Sequence, residues 1–503
     1  MTLSETAEFG RGREVAARAL PRLAVAAWLA LFTLLGLLLR LIAVNGAGYW
    51  TDELFSVFWS RQPLGFLWGQ GMTVETNPPL YYTMLHVWMQ WFGTSETQVR
   101  LLGIMASTAA IPAVFALALE YATPPVALGA ALLMAVAPTQ VAYAQEARAY
   151  ALLPLLVALA VLGLTRFARH GRWSALLLYG AAATVLMYTH ATSVFVLAAF
   201  GAGTLALLLW QGPRRRVAPW LLANAGVGVL AVPELLVMAG QTGSHNLDWI
   251  GRPSVMRLAE LLDVALVDPA PPQIHLHLAT LAALVLAAAL GVALLRRPPP
   301  RVAWLLLVAP PALFLMLVTL VSFRVPVLVP RIAVWFSVPV CVLTALAARD
   351  RFNAALLALP LLVCCAIGLT GAWQLTPRTK EDWRGIMAEV APRIGRDDRV
   401  AVAVSSSPFG VSFYGGPRPL LRWEPAKPPP DALLFAADHL LDIRAATTAE
   451  LAALARAGHL WLLLDPDDQR DYGALVGRDF PPPGTVLRRP AVEALGWTND
   501  AGR

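Results

Sequence analysis

The apolar run Leu23–Val44 (LAVAAWLALFTLLGLLLRLIAV) leads, after Asn45-Gly-Ala, straight into Gly48-Tyr-Trp-Thr-Asp-Glu-Leu-Phe-Ser56. The run is long enough to cross a bilayer, which takes about 20 apolar residues in a helix. Two adjacent carboxylates, Asp52 and Glu53, therefore stand where a membrane helix leaves the bilayer. Before the run lies a tail carrying Arg11, Arg13, Arg18 and Arg22. It resembles a signal sequence, but the apolar core is of spanning length and the chain goes on as a membrane protein. It reads as a retained first helix behind a cytoplasmic tail, residues 1–22.

Composition agrees. Of 503 residues, 57% are hydrophobic and only 14% charged, where soluble domains carry about 25% charged residues. The chain is a polytopic α-helical membrane protein. Its net charge of +7 does not indicate nucleic acid, because the arginines cluster in short gaps between apolar runs, as the positive-inside rule expects. Cys341, Cys364 and Cys365 all lie within apolar segments and imply no disulfide framework.

Further apolar segments fall at 99–120, 125–143, 148–168, 173–190, 193–211, 218–239, 277–295, 302–322, 328–348 and 354–375. The run 79–93 is shorter and rich in Trp, Tyr and His, which suits an interfacial helix. Charge decides its placement. If it lies flat, the gaps holding Arg166/Arg169/Arg172, Arg214/Arg215/Arg216, Arg296/Arg297/Arg301 and Arg349/Arg351 all fall on the side of the tail. If it spans, they all move to the other side. The interfacial reading predicts eleven spans, with the N-terminus inside and the C-terminus outside. Asp52, Glu53, Glu75, Gln145-Glu146, His190, the 241–275 loop and Arg331 then share the outer face. The spans carry almost no charge near their centres, whereas ion-coupled transporters keep ionisable groups there. Chemistry at the outer interface is the expectation.

Beyond Trp373 the chain becomes charged and rich in Pro and Gly. Candidate strands at Arg399–Val404 and His459–Leu464, with helical patterns near Asp382–Val390 and Ala445–Ala457, predict a small α/β domain over 377–503. The transmembrane domain is expected over 23–376, with its first outer loop at 45–98.

Each polar cluster has two readings. Asp52-Glu53 fits a general base or an acidic pair favoured at a helix N-terminus. In Glu75-Thr-Asn-Pro-Pro-Leu-Tyr81-Tyr82, the prolines start the amphipathic helix. The rings of Tyr81, Tyr82, Trp88 and Trp91 suit a headgroup belt, and His86 suits an interface position. Glu75 faces a metal or substrate, or is a solvated loop carboxylate. Glu146 and Arg148 form a surface salt bridge of small worth, or a second functional carboxylate with an arginine near a phosphate. His190, ending a span, is a hydrogen-bonded structural group or a metal contact. Arg331 and Arg324 lie close in sequence, where cations either anchor the chain or grip an anionic headgroup.

Taken in order, Trp50-Thr-Asp-Glu53, Asn77-Pro-Pro-Leu-Tyr-Tyr82, Leu85-His-Val-Trp88, Phe92-Gly-Thr-Ser-Glu96 through Arg100-Leu, Ala144-Gln-Glu-Ala-Arg-Ala-Tyr150, Tyr188-Thr-His190, Pro330-Arg331 and Lys380-Glu-Asp-Trp-Arg384 resemble a known family. These are the GT-C membrane glycosyltransferases, in particular the bacterial group related to protein O-mannosyltransferases and to the aminoarabinose and lipopolysaccharide-core sugar transferases. The resemblance spans residues 20–390. It implies transfer of a sugar, a hexose or pentose, from a polyprenyl-phosphate carrier to a glycan, lipid or protein acceptor, on the outer face of the cytoplasmic membrane. Asp52 matches the first-loop catalytic aspartate, with Glu53 beside it, and Glu146 matches the second acidic position. Arg331, with Arg148, Arg324, Tyr81 and Tyr82, is expected at the substrate and lipid phosphate. Glu75 and His190 lie near where some relatives hold a divalent metal ion and others do not. Ile332 stands where Pro-Arg-Tyr is more usual, which bears on the lipid contact. A flippase or scaffold for polyprenyl-linked glycans would use the same groove and arginines without needing Asp52. A lipid-linked oligosaccharide ligase or polymerase is the other alternative.

Overall fold

A computed structural model of the chain describes residues 21–498, apart from 242–246, 248–249, 269–275, 374–379, 404–407 and 425–431. The tail arginines Arg11, Arg13 and Arg18, most of the 241–275 loop's tip and the expected boundary near 376 lie outside the described residues.

The apolar segments fold as helices because an α-helix pairs every interior backbone group within itself, which a bilayer demands. Among the described residues nine helices are long and apolar enough to cross a membrane, from Arg22–Leu41 to Arg351–Ala372. A tenth is formed if Pro124–Val136 and Pro138–Ala144, bent by 50°, make one span. The bend has a local cause: Pro138 brings no N–H, and Ala137 before it is driven out of helical geometry to φ −59°, ψ 117°. The remaining expected segment is the shorter apolar helix Trp173–Met187. All eleven segments are thus helical, nine or ten of them at full spanning length. The 79–93 run forms the separate helix Leu80–Phe92. Leucines on the outside, such as Leu31, Leu34 and Leu38 of the first helix and Leu359 and Leu362 of the last, are exposed, as befits surfaces facing lipid rather than water.

Helices pack closely where side chains are small. A Cβ on Gly163 would lie 2.7 Å from the Ala175 carbonyl oxygen and 2.8 Å from the Tyr179 nitrogen, so the helices Leu153–His170 and Trp173–Met187 touch backbone to backbone. Arg40, near the end of the first span, is fully buried. It donates to Ser107 Oγ (2.9 Å) and to the Gly36, Ala135 and Met134 carbonyls, tying three helices.

The two ends of the bundle differ. At one end Glu120 meets Arg166 Nε at 2.8 Å, with Arg169 and His170 beside it. The other end carries Asp52, Glu146, Arg148 and Arg331. Over that end lies a six-stranded sheet of order β3-β2-β1-β4-β6-β5, made of β1 (Arg399–Ala403), β2 (Leu420–Trp423), β3 (Ile443–Ala446), β4 (His459–Leu464), β5 (Thr485–Arg489) and β6 (Val492–Thr498). The strands β3, β2, β1 and β4 run parallel, and β6 and β5 are antiparallel. β1 and β4, central and covered on both faces, are buried almost throughout, which is why they read as unbroken apolar runs. The edge strand β5 ends in Arg488 and Arg489, charges that discourage further pairing. The expected strands are observed over Arg399–Ala403 and His459–Leu464, as are helices at Trp383–Val390 and Thr448–Ala457.

The Gly163 contact generates a test. Gly163→Leu must push two backbones apart and is expected to lower the thermal midpoint of the purified protein by an amount that reflects about 1–3 kcal/mol of overpacking or more. Gly180→Leu, on the same helix pair but with open space around it, should leave the midpoint within a degree or two.

Candidate active site

The first-loop helix Thr51–Ser60 begins with Asp52 and Glu53 in its first turn, where carboxylates complement the dipole. The two then diverge. Glu53 is 1% exposed. Its Oε1 accepts from Arg100 Nε (2.9 Å) and from the Ala147 backbone N–H (2.9 Å), and its Oε2 accepts from Arg100 Nη2 (2.7 Å). Arg100 also donates to the carbonyls of Val44, Ala47 and Gly48. With both oxygens occupied by these donors, Glu53 holds the turn together.

Asp52 is presented instead. Arg331 Nη1 donates to its Oδ2 at 2.8 Å, and Arg148 Nη2 stands 3.8 Å from the same oxygen. Arg148 Nη1 also reaches the Asp52 main-chain oxygen (3.4 Å) and Ser56 Oγ (3.3 Å). Burial alone would raise the pKa of Asp52. The charges of Arg148, Arg331 and Lys380 outweigh it and hold the carboxyl below its usual range. Asp52 is thus ionised through neutral pH.

Glu146 pairs with Lys380, whose ammonium also sits over the Trp50 ring, 4.0 Å from its centroid. The Arg331 guanidinium approaches the rings of Trp50 (5.9 Å) and Tyr150 (5.5 Å), in cation–π geometry. Asp268 completes the cluster. Burial and then the Glu146 charge push its carboxyl up to about 6, against Lys380 and a hydrogen bond from Tyr143.

Tyr81 and Tyr82 are buried at 3% and 2% exposure, whereas Trp91 on the same helix is 80% exposed. The tyrosines therefore leave the expected headgroup belt and face inward. The Tyr82 hydroxyl donates to Glu75 Oε1 (3.2 Å), which also accepts from Asn77 N (3.0 Å) and Asn77 Nδ2 (2.6 Å). Tyr81, Tyr82, Asn77, Arg148, Tyr150 and His190 line a small cavity. His86 bonds the Ser60 carbonyl oxygen through Nδ1 (2.8 Å) and meets Gln90 through Nε2 (2.7 Å), so it pins the helix Leu80–Phe92 to the end of Thr51–Ser60. Arg324 is exposed, and among the described residues no contact ties it to Arg331. The expected convergence of these two cations is corrected: Pro330-Arg331 turns inward on a 3₁₀ segment, Pro330–Phe336.

His190 is 5% exposed. Its Nδ1 accepts from the Thr192 backbone N–H (3.2 Å) and contacts Thr192 Oγ1 (2.9 Å). A backbone N–H can only donate, so Nδ1 holds a lone pair and the neutral ring keeps its proton on Nε2. Burial, then Arg148 and Arg331, push the imidazole down to about 3, so it is neutral at physiological pH. A divalent cation would need that Nε2 as a lone pair. Glu75 Oε1 already accepts three hydrogen bonds, and the charges of Arg148 and Arg331 act on the same region. Among the described residues no group of three or more His, Cys, Asp or Glu side chains is set to hold a metal ion. The residues present do not fit the expected Glu75–His190 metal contact.

Sequence reading passed over Arg100, Trp50, Tyr150 and Lys380 as site residues, although each lies within a motif quoted above. It also passed over Asp268. Their signal is three-dimensional: Lys380 reaches a residue 234 positions earlier in the chain.

Residues 76–236 match the family described as dolichyl-phosphate-mannose-protein mannosyltransferase. Among solved structures, the fold is similar to that of ArnT from Cupriavidus metallidurans bound to undecaprenyl phosphate. The two share 14% identity over 94% of this chain and 98% of that one, with a TM-score of 0.61. It is also similar to the oligosaccharyltransferase AglB from Archaeoglobus fulgidus in complex with an inhibitory peptide and a dolichol-phosphate. There the identity is 12% over 90% of this chain and 71% of that one, with a TM-score of 0.52. A search among curated proteins by sequence gave no match. The GT-C resemblance read from the sequence holds in both the matched segment and the fold.

The Glu53–Arg100 pair generates a second test. Glu53→Gln or Arg100→Met alone strands a buried charge and is expected to destabilise the protein by about 3–5 kcal/mol, read as loss of folded protein in thermal denaturation. The double variant, which strands none, should be milder than the more damaging single.

Proposed function

We propose, from the fold shared with ArnT and the mannosyltransferase match over residues 76–236, that this protein transfers a sugar from a polyprenyl-phosphate carrier to a hydroxyl acceptor. The observation that carries the reading is the Arg331–Asp52–Arg148 arrangement at the mouth of an apolar bundle. A polyprenyl phosphate keeps its chain in the bilayer and its phosphate at the interface, where two guanidiniums meet it.

In the reaction the acceptor hydroxyl oxygen forms a bond to the anomeric carbon while the bond from that carbon to the phosphate oxygen breaks. The electron pair leaves with the lipid phosphate, and the hydroxyl proton passes to Asp52. Arg331 and Arg148 stabilise the leaving phosphate. Asp52 tied to Arg331 is a weak base. A phosphodiester anion that draws Arg331 and Arg148 to itself loosens that tie and restores basicity when substrate is bound. Glu146, fixed by Lys380, orients the acceptor side. The donor sugar, hexose or pentose, and the acceptor, glycan, lipid or protein, are set by contacts beyond this core. We further assign the Asp52 end of the bundle, together with a small α/β domain over 377–503, to the outer face of the cytoplasmic membrane. The basic cluster around Glu120, Arg166 and Arg169 takes the inner face.

The test is glycan mass spectrometry on cells lacking the protein, complemented with wild type or Asp52→Asn at matched membrane levels. One sugar mass should vanish and return only with wild type, the purified variant turning over about 10²–10⁴-fold more slowly. Full restoration by Asp52→Asn would defeat the reading in favour of a lipid-handling protein without chemistry.

The pH profile adds a further expectation. The Asp52 pKa is depressed in the folded protein, so its carboxylate is present above that pKa and is lost as pH falls through it. The acid limb of kcat/KM, which reports the free enzyme, should therefore lie below the ordinary carboxylate range. The limb of kcat, which reports the complex in which the lipid phosphate shares the arginines, should lie at higher pH.

A further inference from the structure

Segments far apart in the chain meet on one ring, the indole of Trp50, just ahead of the helix Thr51–Ser60. The Lys380 ammonium, from the segment after the last span, lies 4.0 Å from its centroid. The Arg331 guanidinium, from the 3₁₀ segment Pro330–Phe336, lies 5.9 Å from it. Each cation also holds one of the site carboxylates: Lys380 pairs with Glu146, and Arg331 donates to Asp52 Oδ2. The buried indole Nε1 has no hydrogen-bond partner among the described residues, so the ring contributes its face and not its donor. An aromatic face carries negative potential and attracts cations, Trp most strongly. Like charges brought close repel, and a ring face that both cations touch offsets part of that cost. Arg331 has a second ring, Tyr150, at 5.5 Å, whereas among the described residues Lys380 has Trp50 alone.

We propose that Trp50 is a positioning residue of the site, whose ring face holds Lys380 against Glu146 and Arg331 against Asp52 before substrate arrives. The proposal takes its functional meaning from the transferase reading above, but the contacts it concerns exist without substrate. A hydrogen bond fixes a guanidinium in one direction. A ring face does not, so Arg331 can turn from Asp52 toward a lipid phosphate while keeping this contact. Lys380, with no second ring, depends on the indole more than Arg331 does. The acidity of Asp52 follows from the same placement. Burial raises its pKa, and Arg148, Arg331 and Lys380 together bring it below the usual range; Tyr82 and Glu381 are the other titratable groups that face it. Loosening Lys380 and Arg331 therefore lets the Asp52 pKa rise toward the ordinary carboxylate range.

The experiment labels the full-length protein in lipid nanodiscs and reads each site by peptide mass spectrometry. Acetic anhydride reports the freedom of the Lys380 amine. Carbodiimide coupling to an added amine, at one mildly acidic pH, consumes the protonated carboxyl and so reports the protonated fraction of Asp52. The variants are Trp50→Leu, Trp50→Phe, and Trp50 replaced site-specifically by tryptophans of increasing ring fluorination. Fluorine nearly keeps the shape of the ring while draining its face of negative potential. In Trp50→Leu, acylation of Lys380 is expected to be about fivefold faster, the size of one cation–π contact, and Asp52 coupling faster too. Trp50→Phe, which keeps a ring face, should lie between that variant and wild type. Both rates should climb stepwise along the fluorinated series, and the acid limb of kcat/KM should move to higher pH in the same order. Rates that rise in Trp50→Leu but ignore fluorination would overturn the proposal by making Trp50 a space-filling residue. Unchanged labelling in Trp50→Leu would overturn it as well. If Trp50→Leu does not fold, the fluorinated series decides alone, because its shape is kept. Labelling that follows the series in a protein that transfers no sugar would overturn the transferase reading and leave the placement of Lys380 and Arg331 by the ring standing.

Discussion

The guanidinium of Arg100 is the contact on which the site depends. All five of its N–H donors are used, two on the Glu53 carboxylate and three on the carbonyls of Val44, Ala47 and Gly48. The turn it grips is not a relaxed one, since Ala43 sits at φ +59°, a region most side chains avoid. Gln145 adds bonds from its Nε2 to the Arg40 and Ile42 carbonyls. The chain leaving the first span is therefore fixed by side chains from two other segments before it enters the helix at Thr51. Asp52 inherits that fixity through the backbone, while its own carboxylate turns to Arg331 and Arg148.

A second set of bonds comes from the far end of the chain. Glu381 Oε2 accepts from Thr51 N (3.3 Å), Arg384 reaches the Asn45 and Gly46 carbonyls, and the Tyr414 hydroxyl accepts from Tyr49 N (2.7 Å) while donating to Glu96 (2.9 Å). Apolar packing follows the same path, with Phe58 against Phe409 at 4.9 Å between centroids. Gly48 allows it: a Cβ there would lie 2.7 Å from the Cβ of Arg384. The segment after the last span is thus a strap across the first loop. The same strap delivers Lys380 to Glu146, so the sheet that follows is mechanically part of the site rather than an appendage.

Local patterns reveal the spans, the interfacial helix and the central strands because each is written in a run of neighbouring residues. Apolar runs of spanning length, charged gaps and the unbroken apolar strand His459–Leu464 need no tertiary information. The Asp52-Glu53 dipeptide shows where this stops. Both residues have the same chemistry and the same helix turn, yet one is consumed by Arg100 and the other faces Arg331, 279 positions away. Nothing within the dipeptide separates them. Tyr81 and Tyr82 teach the same lesson. Their composition suits a headgroup belt, but the helix is rotated by its packing on Thr51–Ser60 so that Trp91 takes the outside. Arg324 and Arg331 are neighbours in sequence, and a 3₁₀ turn beginning at Pro330 sends only the second inward.

The same constraints divide the site into two electrostatic territories. Around Asp52 the cations Arg148, Arg331 and Lys380 converge, with carboxylates answering them, and proton affinities there are set by burial and by these charges together. On the other side of Arg148 the wall turns aromatic and His190 is kept neutral by its burial and by those same cations. The cations that hold Asp52 ionised also disfavour a second proton on the imidazole, where burial is the larger cause. Arg148 stands between the two environments and belongs to both.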